Sequence, residues 1–182
     1  AGLIALAATL GGVWIWAALV YMTLFAWALD KLIPVRRTAA APEIDPAAAN
    51  RLLVLLGIVH ILLLGLTVGA LAAGGLGGAG RVGLYLGAGL FFGQVSNATA
   101  HELIHRADRR LFQLGKWIYI SLLFGHHTSA HTKVHHRYAA TPDDPSTARL
   151  GESFYAFARR AWLGGFRKGY EMERADIMRR GT

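Results

Sequence analysis

Seven of the eight histidines in the chain fall between His101 and His136. His101 and His105 are four residues apart, His131 and His135 repeat that spacing, and His136 follows directly. Side chains four residues apart lie on one face of an α-helix, so each pair can reach one metal ion. Neutral imidazole binds iron, copper and zinc. The spacing predicts a transition-metal site formed by these five residues, and we predict no catalytic side chain beyond them.

The number of imidazoles favours a site for more than one metal ion, because five exceed the four ligands of a tetrahedral zinc site. The chain has no cysteine, which excludes thiolate zinc sites, iron–sulfur clusters and disulfides. The string HELIH also fits the helix of a zinc metallopeptidase, with Glu102 as the general base. That alternative stays open, but it gives the second group of histidines no role.

Four further side chains close to the predicted ligands in sequence are candidates for orienting them. Metal-bound imidazoles commonly donate their second ring N–H to a carboxylate or another acceptor. Glu102 and Asp108 are carboxylates beside the first pair, and solvated or helix-capping roles are the alternative for both. His126 and His127 precede His131 by five and four residues and join this group of candidates.

The elements that position these histidines are apolar. Of the 182 residues, 54% are hydrophobic and 16% are charged, whereas an ordinary soluble domain has about 25% charged residues. The stretch from Leu52 to Ala100 carries one charge, at Arg81. This composition excludes a disordered chain. It predicts an all-α fold, namely an integral membrane helical bundle. Residues 1–182 are expected to form one partial membrane domain.

The loop 30–51 and two glycine-containing breaks divide the apolar sequence into predicted membrane spans at about 13–29, 52–73 and 82–100. Residues 1–10 are interpreted as the end of an earlier span, and a single tilted helix is the alternative. A helix of 22 residues, the length of 52–73, covers about 33 Å, and a bilayer core is roughly 30 Å thick. The glycine-rich residues 74–80 predict a tight turn that joins the last two spans into a hairpin.

Lysine and arginine set the predicted orientation. The segment after Ala100 holds 14 Lys and Arg residues against 8 Asp and Glu, and the loop 30–51 holds four basic residues. Only Arg81 lies at the glycine turn. The positive-inside rule predicts both basic regions on the cytoplasmic side of a bacterial-type inner membrane. A net charge of +8 on so apolar a chain indicates contact with anionic lipid and not with nucleic acid.

The part of the chain after the predicted hairpin divides into two regions. Residues 101–150 form the predicted cytoplasmic histidine region, in which the apolar segment 111–125 is too short for a span and is expected at the membrane interface. Residues 151–170 predict an amphipathic helix in the membrane surface, because aromatic side chains recur at helical spacing among arginines. Packing of that helix on another domain is the alternative. The charged residues 171–182 are predicted to form a loop.

The sequence around the histidines resembles the membrane-bound di-iron alkane 1-monooxygenases, within the superfamily of membrane fatty acid desaturases and hydroxylases. The strings HELIHR and HTKVHHRYAATPDDPSTARLGESFYAFARRAW carry the resemblance, and ATPDDP with ARLGESFY is its most specific part. The match is strong over 97–162. By motif, His101 and His105 form the first box, and His131, His135 and His136 form the second. Ala130 stands where the family often has a glutamate.

This resemblance implies two iron ions as cofactors and O2 as co-substrate, for hydroxylation of a terminal methyl group of an alkane or similar hydrophobic molecule. It also implies a lipid bilayer around the protein and a rubredoxin-type electron donor with its reductase. A fatty acyl desaturase or hydroxylase of the same superfamily is the alternative. The family has further histidine ligands downstream of the second box. We therefore expect the chain to be truncated at both ends and inactive by itself.

Overall fold

The computed structural model describes residues 1–33 and 45–181. Every secondary-structure element in these ranges is a helix, so the all-α prediction is confirmed for the described part of the chain. The chain forms two compact units, Ala1–Thr99 and Ala100–Thr182. Arg36 and Arg37, two of the basic residues in the predicted loop 30–51, lie outside the described residues.

The first unit contains four helices with two π-helical turns. They are α1 (Gly2–Leu10), α2 (Val13–Leu32, with a π-helical turn at Tyr21–Phe25), α3 (Pro46–Ala72) and α4 (Gly78–Phe91, followed by a π-helical turn at Phe92–Ser96). The chain breaks between α1 and α2 at Gly11 and Gly12, whose φ angles of 63° and 54° are disfavoured for residues with a side chain.

Helix α3 begins six residues before the predicted start of its span at residue 52. The carboxylate of Asp45 accepts hydrogen bonds from the backbone N–H groups of Ala47 at 2.9 Å and Ala48 at 3.2 Å. Proline occupies the first helical position, Pro46, where its missing N–H has no cost. The helix therefore starts at a capped aspartate-proline pair that lies outside the apolar run.

Helices α2 and α4 pack closely because small residues face large ones. A Cβ atom on Gly83 would lie 2.6 Å from Cγ2 of Ile15, so any larger residue there would force the two helices apart. Ile15 and Leu84 are each 1% exposed, and Ile4 of α1 is 2% exposed. The core of the first unit thus includes aliphatic side chains of α1, α2 and α4, joined by Leu63 of α3, which is 5% exposed.

Two helices within the described residues, Val13–Leu32 and Pro46–Ala72, are long and apolar enough to cross a membrane. Large apolar side chains on both face outward, among them Trp27, which is 64% exposed, and Leu62, which is 67% exposed. Exposed apolar surface of this kind is typical of a protein surrounded by lipid. The predicted span 82–100 lies in helical residues but is not one of these two helices, and it stays a prediction.

The second unit holds both histidine boxes. Its helices are α5 (Asn97–Ile104, which starts at the end of the first unit), α6 (Arg109–Ser121), α7 (126–138, with a π-helical turn at Ala130–His135) and α8 (Phe154–Arg180). The loop predicted after residue 171 is wrong, since α8 continues to Arg180. Glu173 and Asp176 of that segment bind Lys133 of α7, at 2.8 and 2.7 Å, which holds the second half of α8 in place.

Glycines allow the supporting helices to approach the helices that carry histidines. A Cβ on Gly115 of α6 would lie 2.8 Å from the carbonyl oxygen of Ala100 in α5. A Cβ on Gly169 of α8 would lie 3.2 Å from the backbone nitrogen of Ala130 in α7 and 3.2 Å from the carbonyl oxygen of His126. Backbone atoms cannot move aside as flexible side chains do. The close packing of α6 on α5 and of α8 on α7 therefore requires glycine at these two positions.

Candidate metal centre

Four imidazoles from α5, the residue after it and α7 converge. Nε2 of His131 lies 2.9 Å from Nε2 of His101, 3.0 Å from Nε2 of His105 and 3.1 Å from Nε2 of His136. Ring nitrogens bound to one metal ion at about 2.1 Å come within about 3 Å of one another. We call these four residues the imidazole cluster. Within it, ligand nitrogens of His101, His105 and His131 all lie within 4.8 Å of one another, which fits a transition-metal ion.

The backbone of α7 decides which histidines enter the cluster. Residues Ala130–His135 form a π-helical turn, in which hydrogen bonds join residues five apart, and such turns are frequent at functional sites. Nε2 of His136 therefore comes within hydrogen-bond distance of His131. The ring of His135 stacks beside that of His131, with centroids 5.2 Å apart and planes 18° apart. The α-helical spacing used above pairs His131 with His135, and their two rings do lie side by side, but at this turn it is Nε2 of His136 that reaches Nε2 of His131.

His135 has a carboxylate partner that sequence reasoning missed. Its Nδ1 lies 2.9 Å from Oδ2 of Asp144, a residue that is only 1% exposed. The Asp144 carboxylate also accepts hydrogen bonds from the backbone N–H of Ser146 at 2.9 Å and the hydroxyl of Thr147 at 2.5 Å. The available signal was the adjacent acid pair in ATPDDP, but the sequence does not show which acid turns inward.

Electrostatics favour neutral rings at His131 and His105 and an ionised carboxylate at Asp144. Burial, followed by repulsion from His101 and other neighbouring imidazoles, lowers the pKa of His131 to about 3. Burial also lowers the pKa of His105. Burial acts to raise the pKa of Asp144, but hydrogen bonds from Thr147, Ser146 and His135 outweigh it and the pKa is lowered. Neutral rings offer the lone pairs that a metal ion needs.

The two candidate carboxylates near the first box differ in their contacts. An oxygen of Glu102 lies 3.8 Å from Nδ1 of His101 and another lies 3.6 Å from the guanidinium of Arg106. Asp108 caps α6, because its carboxylate accepts from the N–H groups of Arg110 at 2.7 Å and Leu111 at 3.3 Å. Glu102 is therefore placed beside a candidate ligand, while the described hydrogen bonds of Asp108 are those of a helix cap.

His126 and His127 lie against aromatic rings. The ring of His127 stacks on Phe124 at 4.6 Å and on His131 at 5.2 Å between centroids. Burial lowers its pKa to about 4, with smaller effects of neighbouring histidines. The ring of His126 packs edge-on against Phe124 at 4.8 Å and against Phe166 of α8 at 5.3 Å. His127 thus supports the imidazole cluster from the side, and His126 faces α8.

One arginine of α8 anchors the loop that carries Asp144. Arg160 donates to the carboxylate of Glu152 at 2.8 and 2.6 Å, to the carbonyl of Pro145 at 2.8 Å and to the carbonyl of Thr147 at 2.9 Å. Its hydrogen bonds lower the pKa of Glu152 to about 2. Charge-assisted hydrogen bonds of this kind are strong and directional, so they define the conformation of the loop around Asp144.

Comparison with known proteins identifies relatives of this region. The sequence profile of the fatty acid desaturase family matches residues 79–181. Alkane 1-monooxygenase of Pseudomonas putida is 38% identical over 100 residues, 55% of this chain and 25% of that protein. Alkane 1-monooxygenase of Acinetobacter baylyi is 37% identical over 83 residues, 46% of this chain and 20% of that protein.

A third relative matches more of the chain at lower identity. The hydroxylase component of xylene/toluene monooxygenase from Pseudomonas putida is 26% identical over 183 residues, 94% of this chain and 46% of that protein. The resemblance to alkane 1-monooxygenases drawn from the histidine boxes is confirmed. The chain spans about a quarter of the length of the alkane 1-monooxygenases it matches, and the profile covers every candidate ligand.

Proposed function

The chain belongs to the fatty acid desaturase family, and on that premise we propose that it forms the iron-binding part of a membrane non-haem monooxygenase. The reaction is hydroxylation of a terminal methyl group of an alkane or similar hydrophobic molecule with O2. The imidazole cluster is the observation that carries this proposal. The names of the relatives, alkane 1-monooxygenase among them, support the reaction class.

The donor set fits iron. Imidazole is an accepted ligand of ferrous and ferric ions, and the cluster together with His135 offers five imidazoles. We assign His101, His105, His131, His135 and His136 to two iron ions. Bound iron would supply the redox chemistry with O2 that an unactivated C–H bond requires, since such a bond offers no proton for acid–base catalysis.

The residues of the chain have three tasks in this reaction. They keep the ring of His131 neutral through burial. They fix ring orientation, as Asp144 does for His135. They also hold the boxes on supported helices, through Gly115 and Gly169. Sites on supported helices keep the geometry that catalysis needs.

The hydrophobic substrate partitions into the bilayer and meets the first unit. Between α3 and α4 lies a groove of about 450 Å³, within the size range of small-molecule sites. Its lining is mostly apolar and includes Leu64, Val68 and Leu86. We assign this groove to the hydrocarbon chain of the substrate.

The histidine region lies on the cytoplasmic side of a bacterial-type inner membrane, with α8 in the membrane surface. Helix α8 exposes Trp162 and Phe166, each 57% exposed, and Leu163, 63% exposed. Arg159 and Arg167 are exposed on the same helix, as in helices that bind anionic lipid. Electrons come from a rubredoxin-type donor with its reductase, and the basic surface suits an acidic donor.

Metal and product analysis of the full-length protein test the proposal. The protein is purified from membranes, supplied with ferrous iron, rubredoxin, its reductase and NADH, and incubated with octane under air. We expect bound iron and formation of 1-octanol that requires both iron and the donor. Zinc as the bound metal, with no alcohol formed under iron-loaded conditions, would overturn the proposal.

Two variants separate this function from a zinc metallopeptidase. In a monooxygenase, His135→Ala removes a ligand and abolishes iron binding and turnover, whereas Glu102→Gln costs about 10–100-fold, as loss of an orienting group does. In a peptidase, Glu102→Gln abolishes activity with the metal still bound, and His135→Ala is tolerated. We expect the first pattern, since Asp144 already holds His135 in a ligand-like arrangement.

A further inference from the structure

The contact between His135 and Asp144 defines a role that neither the sequence motif nor the family assignment gives. We propose that Asp144 is a positioning residue: its carboxylate accepts the Nδ1–H of His135 and thereby leaves Nε2 of His135 as the metal-binding nitrogen. This inference deepens the proposed function and rests on it for the identity of the metal.

When the ring of His135 is neutral, the hydrogen-bond chemistry of the pair allows one arrangement. An ionised carboxylate only accepts hydrogen bonds, so at the 2.9 Å contact the proton must reside on Nδ1 of His135. A neutral imidazole carries one N–H, so the lone pair of His135 then lies on Nε2. Free histidine in water prefers the opposite arrangement, with the proton on Nε2. The carboxylate therefore selects the form of the ring that binds metal through Nε2.

Asp144 is held firmly enough to impose that choice. It is 1% exposed, and the N–H of Ser146 and the hydroxyl of Thr147 fix its two oxygens. Arg160 of α8 in turn binds the carbonyls of Pro145 and Thr147, which flank Ser146. A buried, ionised group with this many partners has little freedom to rotate.

Comparison with the adjacent Asp143 shows that the contact with His135 is made by Asp144 alone of these two aspartates. The side chain of Asp143 is 73% exposed and lies 3.4 Å from Nζ of Lys168 on α8. Both acids therefore contact groups of the second unit, but only Asp144 is directed toward a histidine box. Asp143 provides a matched control of equal charge at the adjacent position.

The ring of His135 lies beside the four converging nitrogens of the imidazole cluster and not among them. Its contact with Asp144 nevertheless keeps it in an orientation in which it can bind metal. The ring stacks on His131 at 5.2 Å, and its Nδ1 edge is occupied by Asp144. Only the Nε2 edge remains for a metal ion. Carboxylate–histidine–metal arrangements of this type raise the basicity of the ligand and fix the ring plane.

The test begins with the metal-free full-length protein in detergent. Histidine is labelled with ¹⁵N, and the His135 resonances are identified by their loss in His135→Gln. At a pH where the ring is neutral, we expect the proton of His135 on Nδ1 in the wild type and in Asp143→Asn. In Asp144→Ala we expect the proton to move to Nε2. A wild-type His135 with its proton on Nε2 would overturn the proposal.

Metal affinity provides the second measurement, with Co²⁺ as a spectroscopic probe and Fe²⁺ under anaerobic conditions. We expect Asp144→Ala to weaken binding about 10–100-fold. Asp144→Asn should weaken it less, because the amide oxygen can still accept the Nδ1–H, and Asp143→Asn should not change it. Equal affinity in the wild type and Asp144→Ala would overturn the inference.

Asp144→Asn and Thr147→Val keep the test informative if Asp144→Ala fails to fold. Thr147→Val removes one hydrogen bond to the carboxylate and retains the side-chain volume. We expect an intermediate loss of affinity, and no change would count against the proposal. If the wild type binds Co²⁺ but neither binds iron nor forms alcohol, the proposed function fails, while the proton position at His135 still decides the role of Asp144.

Discussion

The two units of the chain hold their helices together by different means. In the first unit, Thr9 and Thr23 return hydrogen bonds to their own helices, at 2.9 and 2.7 Å, and packing between helices relies on glycine against aliphatic side chains. In the second unit, charged side chains far apart in sequence meet, as Lys133 does with Glu173 and Asp176. Apolar packing suffices for helices in lipid, but a metal site needs directional contacts to fix its ligands.

The largest expected effect contrasts one histidine from each unit. His131→Ala removes the nitrogen on which the imidazole cluster converges, so iron binding should fall by more than the roughly 10–100-fold that loss of an orienting partner costs. His60, buried in the first unit with its ring 5.2 Å from Phe92, is interpreted as a packing residue. His60→Leu should retain bound iron, measured by metal analysis of the purified protein. Equal iron loss in both variants would contradict the division between the units.

A second contrast compares a tight glycine with an open one. A Cβ on Gly115 would lie 2.7 Å from Cβ of Leu103, so Gly115→Ala should lower the free energy of unfolding by about 1–3 kcal/mol through overpacking. Beyond the backbone of its own helix and its two chain neighbours, no atom lies within 4 Å of the corresponding position on Gly69 in α3, so Gly69→Ala should be neutral or stabilise by up to about 1 kcal/mol. Unfolding in mild detergent, followed by circular dichroism, measures both. Equal stability of the two variants would show that α6 can shift away from α5.

The Arg160–Glu152 pair should make the stability of the second unit depend on pH. The pKa of Glu152 is about 2 in the folded protein against an ordinary value of 4.5. Its stabilising effect is fully present above about pH 4.5 and is lost as pH falls toward 2. The difference in Tm between the wild type and Glu152→Gln should therefore be largest near pH 6 and should shrink below pH 4.5. A Tm difference that stays constant down to pH 2.5 would refute this role.

The smallest expected effect is one that the two units should share. Asp45 caps α3 and Asp108 caps α6 with the same pair of backbone hydrogen bonds. Replacing either by alanine should cost about 1 kcal/mol of the free energy of unfolding, measured as above. Asp108→Ala should leave iron content unchanged, because the residue acts as a cap. Iron loss in Asp108→Ala would restore the alternative that Asp108 orients a ligand.

Much of the helical framework can be predicted from the sequence, because its signals are local. The pair Gly11 and Gly12 marks the break before α2, and the glycines between α3 and α4 mark a turn. The early start of α3 at Pro46 could also have been predicted, since aspartate followed by proline is a helix-start signal. Hydropathy alone placed that start too late because the first turn of α3 is not strongly apolar.

The finer geometry of the site could not be predicted, because it depends on contacts between distant residues. The π-helical turn at Ala130–His135 forms where α8 packs against α7 through Gly169. The inward turn of Asp144 depends on Arg160, which lies 16 residues further along the chain. Periodicity describes single helices, so it singled out these five histidines as candidates without showing how they divide between the imidazole cluster and the contact with Asp144.

The π-helical turn of α7 has a consequence for how the second histidine box is read. A box with the pattern HxxxHH contains two pairs of histidines, one four residues apart and one five residues apart. His131 and His135 form the first pair, and His131 and His136 form the second. Because the motif ends in two adjacent histidines, it places an imidazole on the same face as His131 whether the backbone is α-helical or π-helical. Deleting one residue between His131 and His135 would still leave one pair four residues apart, formed by His131 and the histidine now at 136. Deleting two residues would remove both spacings, whereas exchanging the residues between the histidines would leave both available.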